Sequence, residues 1–195
     1  MAFSTPALAN TKPLSRAAWL GLWLLLVAPN LQAADFVVRH VDIHLQQQVF
    51  LLNADIHYGF SSEALEALHN GVPLTIRIDI EIERPREWWW NISLASLQQG
   101  YRLQYHALSD QYLLQNLNSG AQYAFHSRAA ALEALGRLRD FPLIDQQFLQ
   151  AGEAYLLRLQ ARLDIEALPA PLRPIAYITP AWRLKSDWYQ WPFTP

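Results

Sequence analysis

The sequence predicts a mainly β protein: an antiparallel β-sandwich with two short helices, preceded by an N-terminal signal helix. Leu74, Ile76, Ile78, Ile80 and Ile82 alternate with Thr75, Arg77, Asp79, Glu81 and Glu83, and a period of two gives a strand one buried and one wet face. Tyr155, Leu157, Leu159, Ala161, Leu163 and Ile165 repeat the pattern, with Arg158, Gln160, Arg162 and Asp164 mainly on the other side. Of 195 residues, 52% are hydrophobic and 16% charged, which supplies a core and excludes a disordered chain.

The chain opens with Lys12 and Arg16 and no acid, followed by the apolar run from Ala17 to Ala28. Positive charge followed by a short apolar core is the order of an export signal. Twelve residues fall short of the roughly 20 that a spanning helix needs. Pro29 and Asn30 break the helix, and Leu31-Gln32-Ala33 offers a small residue to signal peptidase, so cleavage is expected after Ala33. Residues 1–33 are thus read as a signal peptide and 34–195 as a single β-rich domain, exported to the periplasm. An uncleaved inner-membrane anchor is the alternative, and would be the domain's sole contact with a membrane.

Loss of residues 1–33 leaves thirteen basic and seventeen acidic side chains. Such a balance gives no basic field for nucleic acid. The chain has no cysteine, which excludes a disulfide scaffold, a lipid-modified cysteine and a thiol nucleophile.

Phe36–Leu45 and Gln48–Tyr58 read as a hairpin. Val37, Val41, Ile43 and Leu45, interrupted by Arg39, are set against Phe50, Leu52, Ala54, Ile56 and Tyr58. Odd positions facing even ones require an even loop, most simply Gln46-Gln47. Ser61 and Ser62 start a short helix that Asn70-Gly71 stops. After the strand of isoleucines, which Pro85 closes, Tyr101–Leu108, Gln111–Leu117 and Ala121–His126 form a meander. Ser127 caps a second helix over Arg128–Leu138, halted by Asp140-Phe141-Pro142. A long strand spans Glu153–Ile165. Six of the twelve prolines follow, predicting an extended, mostly unpaired tail until Trp182, and Trp182–Trp191 forms a closing strand.

The hairpin register puts His40, Asp42 and His44 on one face with Asn53, Asp55 and His57. Imidazole and carboxylate suit zinc or copper, which makes His40, Asp42, Asp55 and His57 candidate metal ligands. Residues two apart on a strand are separated by about 6.6 Å, however, while ligands must converge to about 2 Å from one ion. A solvated strand face accounts for the same residues. Gly59-Phe60-Ser61-Ser62-Glu63 lacks the second glycine of a nucleophile elbow, and no phosphate-binding glycine loop or helical zinc-protease motif occurs. No cofactor is implied. An envelope hydrolase or metal-dependent enzyme is the reading these residues would carry; a non-enzymatic protein is expected.

The aromatic residues are the remaining surplus: Trp88, Trp89 and Trp90 in succession, then Trp182, Trp188, Tyr189 and Trp191. In an extended chain Trp88 and Trp90 point one way and Trp89 the other, so one ring leaves the core unless both sheet faces are covered. These seven residues are the candidate partner- or ligand-binding set, since tryptophan joins a large apolar area to one polar group.

Asn70-Gly71-Val72-Pro73-Leu74-Thr75, Arg84-Pro85-Arg86 with the three tryptophans, Tyr101–Leu108, Leu172–Tyr177 and Ser186–Pro192 together resemble a family of exported Gram-negative bacterial proteins catalogued as a domain of unknown function. The resemblance runs over about residues 36–193. It implies one domain and an envelope address, and it suggests a membrane sensor histidine kinase as a signalling partner. It supplies no catalytic residue. The expectation is a non-catalytic binding or protein-interaction module of the cell envelope, with a membrane-tethered assembly factor as a further alternative.

Overall fold

Both alternating ladders pair, and with each other. The computed structural model describes residues 35–86, 88 and 90–195; the signal segment with its cleavage site, and Trp89, lie outside the described residues. Strand β1 (Phe36–Gln46) turns into β2 (Val49–Tyr58), and helix α1 (Ser62–His69) leads to β3 (Leu74–Arg84). A meander follows, β4 (Ile92–His106), β5 (Gln111–Asn116) and β6 (Gln122–Phe125). Helix α2 (Arg128–Leu135) then precedes β7 (Arg137–Asp145) and β8 (Tyr155–Leu163). Helix α3 (Arg173–Ile178) and β9 (Tyr189–Phe193) complete the order.

The strands form two antiparallel sheets, β1-β2-β7 and β6-β5-β4-β3-β8-β9. Ile76, Ile78, Ile80 and Ile82 lie opposite Leu163, Ala161, Leu159 and Leu157, and all eight are buried. With Phe36, Val41, Leu52 and Ala54 from the smaller sheet they make one continuous core. Helix α1 starts where Ser61 Oγ accepts the Ala64 N–H at 3.1 Å, and it buries Ala64 and Leu68. Among the described residues no helix is long and apolar enough to cross a membrane.

The sequence-based expectations need several corrections. The first hairpin has the expected odd register, Leu45 opposite Phe50 and Ile43 opposite Leu52, but its turn is Gln47-Gln48. Both glutamines are left-handed, φ 48° and 66°, as a two-residue turn matching strand twist requires. Arg39 is a bulge: the register shifts between Val38 and His40, so Phe36 and Val38 are buried with Val41 while Val37 is exposed. Strand β4 begins nine residues before the expected Tyr101, at Ile92. Helix α2 ends at Leu135 rather than Leu138, because β7 starts at Arg137. That strand tolerates Pro142 because it is an edge with two register shifts. The proline tail holds a third helix, with Pro174 in its first turn where the missing N–H costs nothing. The closing strand is only Tyr189–Phe193, and Trp182 ends a separate 3₁₀ turn.

Candidate functional site

The pairing of β3 with β4 ends at Arg84 opposite Ile92, and the described residues between them, Pro85, Arg86, Trp88, Trp90 and Asn91, lie outside the strands in the connecting loop. Pro85 cannot extend the ladder. Trp88 and Trp90 stand on this loop with 87% and 91% of their surface in water. Single exposed apolar residues are ordinary, but two nearly bare indoles within three positions are not.

Register places further apolar surface at the same pole of the sandwich. Glu83 is opposite Leu156, which is opposite Pro192, and Tyr155 is opposite Phe193. The Phe193 ring lies 5.9 Å from Phe50 and 5.8 Å from Tyr155, joining the two sheets there. Trp191, Leu94 and Phe148 are exposed at this pole. Leu94 is exposed because a bulge between Ile82 and Glu83 makes it the extra residue of β4. Beside it lies an apolar hollow of about 430 Å³ lined by Leu94, Ala95, Leu143, Ile144, Asp145 and Phe148.

A polar lattice anchors the base of the loop. Asn91 Nδ2 donates to Glu83 Oε2 at 2.7 Å, and Arg158 Nη1 donates to Glu83 Oε1 at 2.9 Å and Glu81 Oε2 at 3.0 Å. The Asn91 hydrogen bond first, then Arg158, holds the Glu83 carboxyl below the usual glutamate range against the opposing effect of burial. The Arg158 guanidinium lies 4.5 Å from the Trp188 ring centroid, a cation–π contact. Farther along the face, Arg162 Nε donates to Asp79 at 2.7 Å and Arg77 Nε to Asp164 at 2.5 Å.

The aromatic candidates therefore separate. Trp88 and Trp90 form the exposed tip, and Trp191 is part-exposed at the same pole. Trp188 is half-buried against Arg158, and Tyr189 is half-buried opposite Leu159. Trp182 is 6% exposed and belongs to the core, so it offers no contact surface.

The metal-ligand candidates do share the wet face of the first hairpin. His40 is opposite Asp55, Asp42 opposite Asn53, and His57 opposite Val37. The Asp55 carboxylate, however, is held by the Arg139 guanidinium. Asp42 Oδ2 is 3.7 Å from His44 Nδ1, while His44 Nε2 is 3.6 Å from Asp140, so that imidazole spans two carboxylates. Among the described residues no group of three or more His, Cys, Asp or Glu side chains is arranged to hold a metal ion. Next to this face a cleft of about 380 Å³ is lined by Arg39, His57, Glu133 and Arg137, among others. Glu133, near the end of α2, is paired with Arg137, the first residue of β7.

The polar face was legible in the hairpin parity, whereas Arg139 and Asp140 were hidden because β7 itself was. Leu94 and Phe148 carry no signal in the sequence, because a bulge and a 3₁₀ turn leave no periodic trace.

A family model described as a domain of unknown function, DUF4390, matches residues 33–192. No curated protein and no solved structure matches the chain.

Proposed function

This chain belongs to the DUF4390 family, and from that premise we propose that it is an exported, periplasmic, non-catalytic interaction module of a Gram-negative envelope. Its contact surface is the tryptophan tip of the β3–β4 hairpin. The observation that supports this reading is the pair Trp88 and Trp90, held out of the core on a loop whose base is fixed by Glu83, Asn91 and Arg158. Aromatic rings presented from a rigid base suit recognition, because little side-chain entropy is lost when they are covered. The partner is an envelope protein, with a membrane sensor histidine kinase as the candidate.

The test is photocrosslinking in intact cells from a benzophenone side chain at position 88 or 90, with position 108 as control, since Leu108 is exposed on the turn between β4 and β5. A discrete protein adduct from 88 and 90 and none from 108 is the expected result. Equal labelling from all three positions, or turnover of a defined substrate by the purified protein, would overturn the reading. The amino-terminal mass of protein recovered from the envelope reports whether residues 1–33 are removed.

A further inference from the structure

Sheet edges expose backbone donors and acceptors, and natural proteins blunt them with charge, proline, bulges or brevity. Here β1 has the Arg39 bulge with His40 and Asp42 beyond it. Strand β7 has Pro142 and two register shifts, β9 has five residues including Pro192, and β6 has only four. One further edge lies inside the larger sheet. Strand β4 has 15 residues, but β5 pairs with it only from Tyr101 to His106. Among the described residues, the half nearer the tryptophan tip is thus paired with β3 alone.

Just beyond the end of β5 a side chain takes over the ladder. Leu117 N–H donates to the Gly100 carbonyl at 2.8 Å. Asn118 Oδ1 then accepts the Gly100 N–H at 2.9 Å, and Asn118 Nδ2 donates to the Gln98 carbonyl at 2.9 Å. These bonds show which way the backbone groups point. Outward-facing groups recur every second residue in an antiparallel strand, so the N–H and C=O of Ser96 point to the same side, where no strand among the described residues pairs with them. The segment Ile92-Ser93-Leu94-Ala95-Ser96-Leu97 contains neither charge nor proline. Its one irregularity, the bulge at Leu94, turns that side chain toward the hollow it shares with Leu143, Ile144 and Phe148.

We propose that the uncapped half of β4, Ile92–Leu97, is a strand-addition site for an extended peptide segment of the partner. Backbone hydrogen bonds to Ser96 supply affinity and register. The hollow takes apolar side chains at alternate positions of the peptide. Asp145 is the one charged residue lining it, so a Lys or Arg beside the apolar residues is favoured. Because Trp90 and Asn91 immediately precede Ile92, the bound strand runs toward the tryptophan tip. The proposal deepens the interaction reading and rests on it.

The test is selection of random displayed heptapeptides against the full chain, followed by affinity measurement on synthetic copies. Enriched peptides should alternate apolar and polar residues and carry a basic residue. Ser96→Pro removes an outward N–H without touching the β3 ladder, and should weaken binding at least tenfold. N-methylation of the peptide on its edge-facing residues should do the same with the protein unaltered, while N-methylation on the alternate residues should have no effect. No enrichment, peptides that bind Ser96→Pro within twofold of wild type, or indifference to N-methylation in both registers would overturn the edge site. Each of those failures leaves the crosslinks from positions 88 and 90 standing, so the edge and the tip fail separately.

Discussion

Replacing tip and core tryptophans by alanine should cost very different amounts of stability. An indole side chain of about 250 Å² that is 87% exposed, as at Trp88, buries only about 30 Å². At about 25 cal/mol per Å² that is worth about 0.8 kcal/mol, and Trp90 still less. Trp182, 6% exposed, buries about 235 Å² and about 6 kcal/mol on the same scale. That figure is an upper bound because unfolded chains are partly collapsed, and large-to-small core substitutions of this kind cost about 3–5 kcal/mol. Urea unfolding followed by far-ultraviolet circular dichroism reads all three variants without relying on tryptophan emission. Trp88→Ala and Trp90→Ala should each stay within about 1 kcal/mol of wild type, whereas Trp182→Ala should lose about 3 kcal/mol or more. A loss above about 2 kcal/mol in either tip variant would mean that the rings hold the fold together, and the contact reading would lose its basis.

Gly136→Ala should destabilise by about 1–3 kcal/mol, since an added Cβ would stand 2.3 Å from the Ile56 carbonyl oxygen; an unchanged thermal midpoint would refute this close approach. Asn91→Ala should raise the Glu83 pKa, because that hydrogen bond is the largest influence lowering it. A carboxylate with a depressed folded pKa contributes stability that is complete above its unfolded value, about 4.3, and is lost as pH falls through the folded one. The stability gap between wild type and Asn91→Ala should therefore be constant above about pH 5.5 and narrow in acid; a gap that widened in acid would reverse the assignment. Tyr58 Oη is buried without a hydrogen-bond partner among the described residues, and burial raises its pKa. Tyr58→Phe should leave stability unchanged or raise it by up to about 1 kcal/mol, and a loss above about 1.5 kcal/mol would reveal a partner for the hydroxyl.

Legibility in the sequence followed the physics of each segment. β3 and β8 could be read because both bury one whole face, so a single parity of isoleucine or leucine survives along their length. In β1 the pattern misleads on one side of Arg39, since one extra residue moves the core side from even to odd positions and local pattern cannot tell a bulge from a polar interruption. In β4, Ile92, Leu94, Ala95 and Leu97 break alternation for the same reason. β7 was hidden by charges and Pro142 that suit its place at an edge, and α3 by prolines that its first turn accepts. Alternation along Trp88–Trp90 implies only that one ring of an extended run leaves the core; that Trp88 and Trp90 are both bare follows from the end of pairing at Arg84 and Ile92, which alternation does not encode. The core position of Trp182 and the unpaired half of β4 depend on which strands become neighbours, and that is fixed far along the chain.

The boundary of the uncapped edge is set by one primary amide. Asn118 stands in for the next strand with two hydrogen bonds, one to Gln98 and one to Gly100. Asn118→Ala would therefore lengthen the accessible rail by one full hydrogen-bonding step and leave the sheet's own pairings in place. A chain with so small a stopper can change how much of a guest it holds through a single codon.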